Sequence, residues 1–443
     1  MKRALIVQAI FWIAAYIVLA IAPLVLLKVG EVPPGREFWR ELSVALGFAG
    51  LAMLTLQFVL TARFRSIKAP YGADVVYHFH RQISLVSLAL IVAHPVLLFV
   101  NAPETIGLLN LAAAPWRARM GVTAVLLLLV MIAASLWRRR WKIEYSAWRV
   151  WHGILATLIV ALAMGHVVLA RHYLNQPWKQ ALWIGYGGCW VGLLVYVRLL
   201  KPLLLLRRPY AVESVRAERG GSWTVALRPV SHAGIHFMPG QFAWLTLGKS
   251  PFAEAEHPFS FSSSAGQPDR PAFTIKALGD FTRTVPALQP GTPVYLDGPF
   301  GHFSVDRQPH AEEYVFIAGG VGITPTMSML RTLAERGERR PLLLFYANRD
   351  WESVTFREEL EELTTQLNLK IVHVLEKPHD GWIGEQGYLS QAVLAKHLPQ
   401  EWDRDAIEVF LCGPPPMMAA AEQALLKLGV PFGDIHSEQF NLV

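Results

Sequence analysis

The sequence predicts a six-helix transmembrane bundle, followed by a small antiparallel β-barrel and a parallel α/β domain. Three observations carry this prediction. Long apolar runs fill the first 206 of the 443 residues, whereas the remainder alternates short apolar runs with glycine, proline and charged residues. Hydrophobic residues make up 53% of the chain and charged residues 17%, which is typical of a partly membrane-embedded protein. The last third repeats a strand-then-helix pattern, which indicates a parallel sheet.

Six apolar runs approach the length that crosses about 30 Å of hydrocarbon. They cover residues 4–27, 42–61, 80–100, 120–137, 150–170 and 181–200. The first run follows Lys2 and Arg3, as a secretory signal would. It is too long for the apolar core of a signal peptide, so we expect a retained helix.

The basic residues predict the direction of the spans. They cluster in three connections, which contain Arg63, Arg65 and Lys68, then Arg138, Arg139, Arg140 and Lys142, then Lys201, Arg207 and Arg208. Because basic connections face the cytoplasm, six crossings place both termini there. This topology accounts for the net charge of +7 without nucleic acid as a partner.

The chain contains two cysteines, Cys189 and Cys412. Cys189 lies in an apolar run and Cys412 lies in the half that follows the membrane spans. Two residues so placed exclude a disulfide framework, a CxxCH haem attachment site and a cysteine-rich zinc site.

Four histidines lie in the third and fifth spans. His80 and His94 are 14 residues apart, and so are His152 and His166. On a helix this spacing is roughly 21 Å along the axis and about 40° from a common face. The two spans run in the same direction, so His80 is level with His152 (the inner pair) and His94 with His166 (the outer pair).

Two imidazoles that face each other across a helix bundle form the axial ligands of a b-type haem. A single intramembrane histidine could instead be a packed, hydrogen-bonded residue. Two spans that repeat one spacing at matched depths favour ligands, because ionisable residues within a membrane are costly and usually functional. The sequence therefore predicts two b-type haems.

After the spans, short strand-like runs with turn signals predict the antiparallel barrel. They read SWTVALRPV, QFAWLTLG, AFTIKALG and PVYLDGPFG. From residue 312 the pattern changes to strands followed by helical stretches, with the strands YVFIAGG, PLLLFYANRD, LKIVHVLEKP and IEVFLCGPP. This alternation is typical of a nucleotide-binding sheet.

The segment IAGGVGITPTMSML joins a predicted strand to a predicted helix, with Pro325 in the first helical turn. Glycines let a pyrophosphate approach the backbone, and a helix N-terminus offers oriented N–H groups. The candidate binding residues are Gly319, Gly320, Gly322 and Thr324. The full GxGxxG pattern is not met, so a tight strand-to-helix packing turn remains the alternative.

The paired histidines, HPFSFSS, GDFT, GGVGITP and LCGPPPMM occur in one chain in this order. Together they make the sequence resemble the NADPH oxidase and ferric reductase superfamily, close to its bacterial members. The resemblance implies a di-haem membrane domain over residues 1–206, an FAD-binding barrel over 207–308 and an NAD(P)H-binding domain over 309–443. It also implies the bacterial cytoplasmic (inner) membrane as the location.

The resemblance assigns two segments to FAD. The first lines the flavin ring and ribityl chain, with residues His257, Pro258, Phe259 and Ser260. Soluble relatives carry arginine at the position of His257, which leaves the role of this histidine open. The second holds the FAD pyrophosphate, with residues Gly279, Thr282 and Arg283. Without the resemblance, a barrel strand and a helix-capping turn would explain the two segments.

Three further sites follow from the resemblance. Cys412, with Gly413 and Pro414, would lie beside the nicotinamide, although a buried structural cysteine is the common alternative. Phe440 would stack on the flavin until the nicotinamide displaces it. Arg349 would meet the adenosine ribose or its 2′-phosphate, which favours NADPH, with NADH as the alternative.

The implied activity is an oxidoreductase that passes electrons from NADPH to FAD, then to the inner pair, the outer pair and an acceptor outside. Short outer connections favour O2, reduced to superoxide, over a ferric chelate. A periplasmic protein partner is a third alternative. Arg117, Arg119 and Arg171 on the outer side would pair haem propionates, attract an anion or be surface residues, and His172 would be a surface residue or lie near the outer pair.

Overall fold

The computed structural model describes residues 2–31, 34–64, 73–253, 255–399 and 406–439. Their contacts divide the chain into two compact units, which join in sequence between Pro202 and Leu203. The first unit consists of the apolar helices. The second holds two six-stranded sheets and the helices that cover one of them.

Among the described residues, six helices are long and apolar enough to cross a membrane, which confirms the predicted number of spans. They are α1 (Lys2–Leu26), α2 (Phe38–Thr61), α3 (Ala73–Asn101), α4 (Trp116–Leu136), α5 (Tyr145–Ala170) and α6 (Pro177–Val195). A π-helical turn, Tyr196–Leu200, continues α6 into the short helix α7 (Lys201–Leu206). The chain is therefore a multi-pass membrane protein.

An apolar layer fills the middle of the helical unit. Leu54 of α2, Met131 of α4, Ile159 of α5 and Trp190 of α6 are buried together. Partly buried side chains of α3, among them Leu88, pack against this cluster. Because Ile159 is halfway between His152 and His166 in sequence, this layer separates the two histidine depths.

The first sheet of the second unit is antiparallel and has the order β4-β3-β6-β1-β2-β5. Its strands are β1 (Tyr210–Glu218), β2 (Ser222–Pro229), β3 (Phe242–Leu247), β4 (His257–Ser260), β5 (Ala272–Lys276) and β6 (Pro293–Phe300). A bridge between Phe261 and Phe273 joins the chain after β4 to β5. The predicted antiparallel sheet is confirmed, whereas its closure into a barrel stays a prediction.

The second sheet is parallel, as predicted, and has the order β10-β9-β8-β7-β11-β12. Its strands are β7 (Glu313–Gly319), β8 (Leu342–Asn348), β9 (Leu369–Leu375), β10 (Glu385–Gln386), β11 (Ile407–Cys412) and β12 (Ile435–Ser437). Helices α8 (Ile323–Glu335) and α9 (Arg357–Gln366) cover one face, and α10 (Gln391–His397) and α11 (Pro415–Lys427) cover the other. Burial on both faces explains the continuous apolar strands.

The strand order of the parallel sheet reverses between β7 and β11. The chain proceeds outward from β7 through β8 and β9 on one side, and it returns to the other side of β7 as β11. In open α/β sheets, ligands bind at the carboxyl ends of the strands that flank such a reversal. The Gly319 turn and the Cys412 segment stand at these two ends.

The two sheets of the second unit are joined by polar contacts along α8. Arg331 pairs both carboxylate oxygens of Glu359 at 2.6 Å and donates a hydrogen bond to the Ser262 carbonyl. The Ser328 hydroxyl donates to the Ser263 carbonyl at 2.8 Å. The segment after β4 is thereby fixed against the helix that follows the glycine turn.

Candidate functional site

The structure brings the four span histidines together in the predicted pairs. The ring centroids of His80 and His152 are 6.4 Å apart, and those of His94 and His166 are 6.2 Å apart. With a nitrogen–metal bond of about 2 Å on each side, two imidazoles that share one metal ion have centroids roughly 6 Å apart. Both pairs therefore have the spacing of axial ligands to one iron.

The hydrogen bonds of the outer pair fix its tautomers. Nδ1 of His94 donates to the Ser43 carbonyl at 2.8 Å, and Nδ1 of His166 donates to the Arg117 carbonyl at 2.7 Å. A carbonyl only accepts, so each Nδ1 carries the proton. Each Nε2 then keeps the free lone pair that a metal ligand needs.

The inner pair is held differently. Nδ1 of His152 lies 3.4 Å from the Ser135 hydroxyl oxygen. Nδ1 of His80 is buried and has no hydrogen-bond partner among the residues that the structure describes. The inner rings therefore have one long side-chain hydrogen-bond contact at Nδ1, whereas the outer rings contact two backbone carbonyls and, at His94, also the Ser43 hydroxyl at 3.0 Å.

Two glycines let neighbouring helices cover the Nδ1 sides of the outer rings. A Cβ at Gly121 of α4 would lie 2.8 Å from Nδ1 of His166, and a Cβ at Gly47 of α2 would lie 3.2 Å from Cγ of His94. Any larger residue would push the ring. The glycines thus support the orientation in which Nε2 is turned away from the covering helix.

These observations fit a haem. In the described part of the chain, no three or more histidine, cysteine, aspartate or glutamate side chains are grouped as a protein-chelated metal ion requires. A haem iron takes four ligands from its porphyrin and needs only two from the protein. Two facing histidines at each depth satisfy that need, and at the outer depth both Nε2 atoms keep the free lone pair.

The outer basic residues have different roles in the structure. The Arg119 guanidinium donates to the carbonyls of Ala114 and Ala112 at 2.7 and 2.8 Å, which supports the structural alternative for this residue. Arg117 supplies its backbone carbonyl to His166. Arg171 ends α5 in a left-handed conformation, with φ of 52°.

His172 lies just beyond α5. Its ring packs edge-on against Tyr173, with centroids 4.7 Å apart. Burial, followed by the nearby Arg36, lowers the pKa of His172. The histidine is therefore neutral at pH 7, and its placement near the outer pair stays a prediction.

The HPFS segment forms β4 at the edge of the antiparallel sheet. The rings of His257 and Phe281 are stacked, with centroids 3.7 Å apart, and Phe259 lies parallel to Phe281 at 6.1 Å. All three residues are half-buried. Ser260 is buried, and its strand position pairs with Phe242. The segment thus offers a flat aromatic surface, which fits the predicted contact with the flavin ring. Pro258 lies between His257 and Phe259 on the strand.

The GDFT segment forms an exposed turn. The Thr282 hydroxyl accepts hydrogen bonds from the Leu278 and Gly279 N–H groups at 2.9 and 2.8 Å. Thr282 therefore shapes the turn in this structure. Gly279 and Arg283 are exposed at its tip, where an anion can approach them.

The glycine turn and the Cys412 segment approach each other closely where the strand order reverses. A Cβ at Gly322 would lie 2.6 Å from the Cys412 carbonyl oxygen, and one at Gly413 would lie 3.0 Å from the Gly319 nitrogen. Gly320 has φ of +54°, a left-handed conformation that favours glycine. Only glycines allow these two loops to meet.

Thr324 and Pro414 flank this junction. The Thr324 hydroxyl donates to the Val321 carbonyl at 2.7 Å, and a second contact of 3.4 Å reaches the Thr274 carbonyl on β5. Pro414 is the residue before α11 and allows no Cβ at Gly319, because its Cδ lies 2.8 Å from that position. The candidate nucleotide residues are thus gathered at one edge of the sheet, against the antiparallel sheet.

Cys412 is buried at the end of β11. Burial, and secondly the carboxylate of Glu438, raises the pKa of the Cys412 thiol, which therefore stays protonated and neutral. Sequence reasoning missed Glu438, which is itself buried. The signal that could have found it is its place two residues before Phe440, a residue that lies outside the described part of the chain.

Arg349 follows β8 and is exposed. Its carbonyl accepts a hydrogen bond from the Lys377 N–H at 2.7 Å, which places an exposed lysine after β9 next to it. The neighbouring carboxylate of Asp350 accepts from the Ser353 N–H at 2.9 Å and caps the next helical turn. Two cations are thus available at the predicted ribose end of the site.

Stability of the parallel sheet is expected to depend on pH through His373 on β9. Burial, followed by the nearby Arg357, lowers the pKa of His373 from 6.5 to about 4. Below pH 6.5 the imidazole of His373 is protonated in the unfolded chain but stays neutral in the folded chain. The free energy of unfolding therefore falls as pH falls toward 4, by at most roughly 3 kcal/mol. His373→Gln should reduce the loss of Tm between pH 7 and 4.5, whereas exposed His310→Gln should leave it unchanged; equal losses in both variants would contradict this.

Two family models match the chain. One describes the ferric reductase like transmembrane component and matches residues 46–164, which include three of the four span histidines. The other describes an oxidoreductase NAD-binding domain and matches residues 316–423, which include the glycine turn, Arg349 and Cys412. The chain therefore joins a ferric reductase-like membrane domain to the NAD-binding module of an oxidoreductase, and the predicted fused architecture is confirmed.

Similar proteins each match part of the chain. The chain is 32% identical over 211 residues to a glycine betaine monooxygenase reductase subunit of Chromohalobacter salexigens, over 46% of this chain and 56% of that protein. It is 33% identical over 160 residues to NADH-cytochrome b5 reductase 1 of Debaryomyces hansenii, over 35% and 55% of the two chains. It thus spans little more than half of these relatives. The cytochrome b5 reductase domain of Ulva prolifera nitrate reductase aligns with 53% of this chain and 98% of its own, at 20% identity and a TM-score of 0.46.

Proposed function

We propose that the chain carries electrons from NADPH, through FAD and two b-type haems, to O2 on the far side of the bacterial inner membrane, where superoxide forms. One observation carries the proposal. Two pairs of histidines, with centroids 6.4 and 6.2 Å apart, lie at two depths of a six-helix membrane unit. The same chain holds an oxidoreductase NAD-binding domain.

Different groups of residues would bind the haems and the flavin. His80 with His152, and His94 with His166, would hold one haem each. The aromatic surface of His257, Phe259 and Phe281 would orient the flavin ring, with Gly279 and Arg283 near its pyrophosphate. When bound, a flavin accepts a hydride, and flavin and haem exchange single electrons, which joins two-electron and one-electron chemistry.

The nucleotide site would be the edge where β7 and β11 end. Gly319, Gly320 and Gly322 would admit the pyrophosphate to the backbone at the start of α8. Cys412, a neutral buried thiol, would present an uncharged surface to the nicotinamide. The proposed domain boundaries follow these roles, with residues 1–206 for the haems, 207–308 for FAD and 309–443 for NADPH and the C-terminal Phe440.

The membrane topology and the electron acceptor are inferred from the connections between the membrane helices. The basic connections place both termini in the cytoplasm by the positive-inside rule. Those that would face outward are short: eleven residues before α2, fourteen before α4 and six before α6. Short connections suit a small acceptor such as O2. The family description of one match names ferric reductase, and the relatives named above are reductases, so a ferric chelate and a protein partner are the alternative acceptors.

One experiment separates these acceptors. Purified chain with FAD and NADPH is assayed for superoxide-dismutase-sensitive cytochrome c reduction, and separately for ferric citrate reduction without O2. We expect the first rate to exceed the second. Dominant ferric citrate reduction would replace O2 as the acceptor, and a rate that requires an added periplasmic extract would indicate a protein partner. A preparation without b-type haem absorbance, despite ample haem supply, would contradict the proposal as a whole.

Arg349 and Lys377 are expected to select NADPH over NADH. A hydrogen bond to a charged group contributes about 1.5–3 kcal/mol, so Arg349→Ala and Lys377→Ala should each raise KM for NADPH by roughly tenfold or more. KM for NADH should change little, because it has no 2′-phosphate. Lys370→Ala, an exposed lysine nearer the start of β9, is the matched control. Equal changes for both nucleotides would contradict the assignment.

A further inference from the structure

The hydroxyl of Ser135 is the centre of a small hydrogen-bond network at the inner pair. It donates to the Met131 carbonyl at 2.7 Å, one turn earlier on α4. It accepts from the indole Nε1–H of Trp148 at 3.2 Å. Because a hydroxyl has a single proton, and this one goes to Met131, the His152 Nδ1 at 3.4 Å is also a donor.

Trp148 touches the same ring that Ser135 faces. Its ring centroid lies 5.1 Å from that of His152, with the planes inclined by 42°. The Arg138 guanidinium lies over the Trp148 ring, 5.8 Å from its centroid. Ser135 and Trp148 together therefore limit the rotation of the His152 ring from two sides.

This arrangement differs from the outer pair. There, each Nδ1 donates to a backbone carbonyl, which no side-chain substitution removes, and the Ser43 hydroxyl, 3.0 Å from Nδ1 of His94, is an additional contact. His80, the other inner ligand, has no Nδ1 acceptor among the described residues. Among the described residues, the Ser135 hydroxyl is thus the one side-chain acceptor for a ring N–H of the inner pair, and it faces His152.

We propose that Ser135 is a positioning residue for the inner haem. It keeps the proton of His152 on Nδ1, leaves Nε2 free for iron, and shares its oxygen with Trp148, which limits how strongly it accepts from His152. The inference rests on the proposed function, because it assigns a haem to His80 and His152.

The proposal predicts the direction in which the haem potential moves. A hydrogen bond from Nδ1 makes the imidazole a stronger donor to iron, and a stronger donor favours the ferric state and lowers the midpoint potential. Ser135→Ala removes the acceptor and should raise the midpoint potential of one haem. Trp148→Phe removes the competing donor and should lower the potential of the same haem.

The test is a redox titration of the purified full chain, followed by absorbance of the b-type haems and by low-spin EPR. We expect Ser135→Ala to raise one of two midpoint potentials and Trp148→Phe to lower it. Ser135→Thr keeps the hydroxyl and should restore the original value. Ser87→Ala is the matched control, because the Ser87 hydroxyl is buried in α3 and donates to the Ile83 carbonyl one turn earlier, at 2.8 Å.

The outcomes separate this inference from the proposed function. Two haems per chain with unchanged potentials in Ser135→Ala and Trp148→Phe would overturn the role of Ser135 and leave the proposed function intact. A wild-type chain that binds no haem would overturn the proposed function itself. Should Ser135→Ala fail to fold, the direction of the Trp148→Phe shift decides, since that variant keeps an aromatic ring beside His152. A shift of both potentials would also contradict the inference.

Discussion

The His94→Ala variant is expected to contain one b-type haem per chain instead of two and to deliver no electrons to the outer side, while NADPH still reduces its flavin. The outer pair would lose one of its two axial ligands. Loss of an orienting partner of a ligand already costs roughly 10- to 100-fold in metal affinity, so loss of the ligand itself costs more. Haem content by pyridine haemochrome absorbance, flavin bleaching without O2 and superoxide formation measure the three outcomes.

His78→Ala is the control for this variant. His78 lies on the same helix, is exposed, and precedes His80 by two residues. It should keep both haems and the full rate of superoxide formation. Two haems in the His94→Ala protein would show that His94 is not a ligand. Loss of flavin reduction in that protein would show that the variant disturbs more than the outer pair.

The Gly322→Ala variant should show the converse behaviour, with both haems present and reduction by NADPH largely lost. The new Cβ would lie 2.6 Å from the Cys412 carbonyl oxygen and 2.8 Å from the Gly413 Cα. Both are backbone atoms, so the two loops must separate. Overpacking of this kind costs about 1–3 kcal/mol, and the separation would displace the nucleotide relative to the flavin.

Single-turnover flavin reduction by NADPH measures this effect, with dithionite reduction of the haems as the test of an intact membrane unit. Gly188→Ala is the control, because a Cβ there meets no atom within 4 Å. Rapid flavin reduction in Gly322→Ala would mean that the close approach of the two loops is packing alone. Failure of dithionite to reduce the haems would point to a general loss of folding.

Much of the histidine arrangement could be predicted from the sequence because the α-helix has a fixed rise and rotation per residue. A spacing of 14 residues, repeated in two parallel spans, is enough to place four rings in two level pairs. The acceptors for Nδ1 could not be predicted. Ser43 and Arg117 accept through their carbonyls, which every residue possesses, although the Ser43 hydroxyl also lies 3.0 Å from Nδ1 of His94. The contact of Arg117 does not involve its charged side chain.

In the fold, too, some elements could be predicted from the sequence and others could not. Membrane spans and buried parallel strands are continuous apolar runs of characteristic length, and both could be predicted. The strand β4 was not specified, because it has four residues and begins with histidine and proline. The short strands β10 and β12 were missed for the same reason, since two or three residues carry no periodicity. They exist because the neighbouring strands β9 and β11 offer them a parallel edge.

The two helices that carry the histidines, α3 and α5, have the same spacing of 14 residues between their histidines. Each helix contributes one imidazole to the inner pair and one to the outer pair. A translation of one helix along the other would therefore displace the two histidines of each pair by the same distance. If the proposed haems bind, a haem at one depth would consequently set the longitudinal alignment of the histidines at the other depth. Binding of both proposed haems would therefore require one relative position of α3 and α5, and a shift of α5 along its axis would disturb both haem sites together.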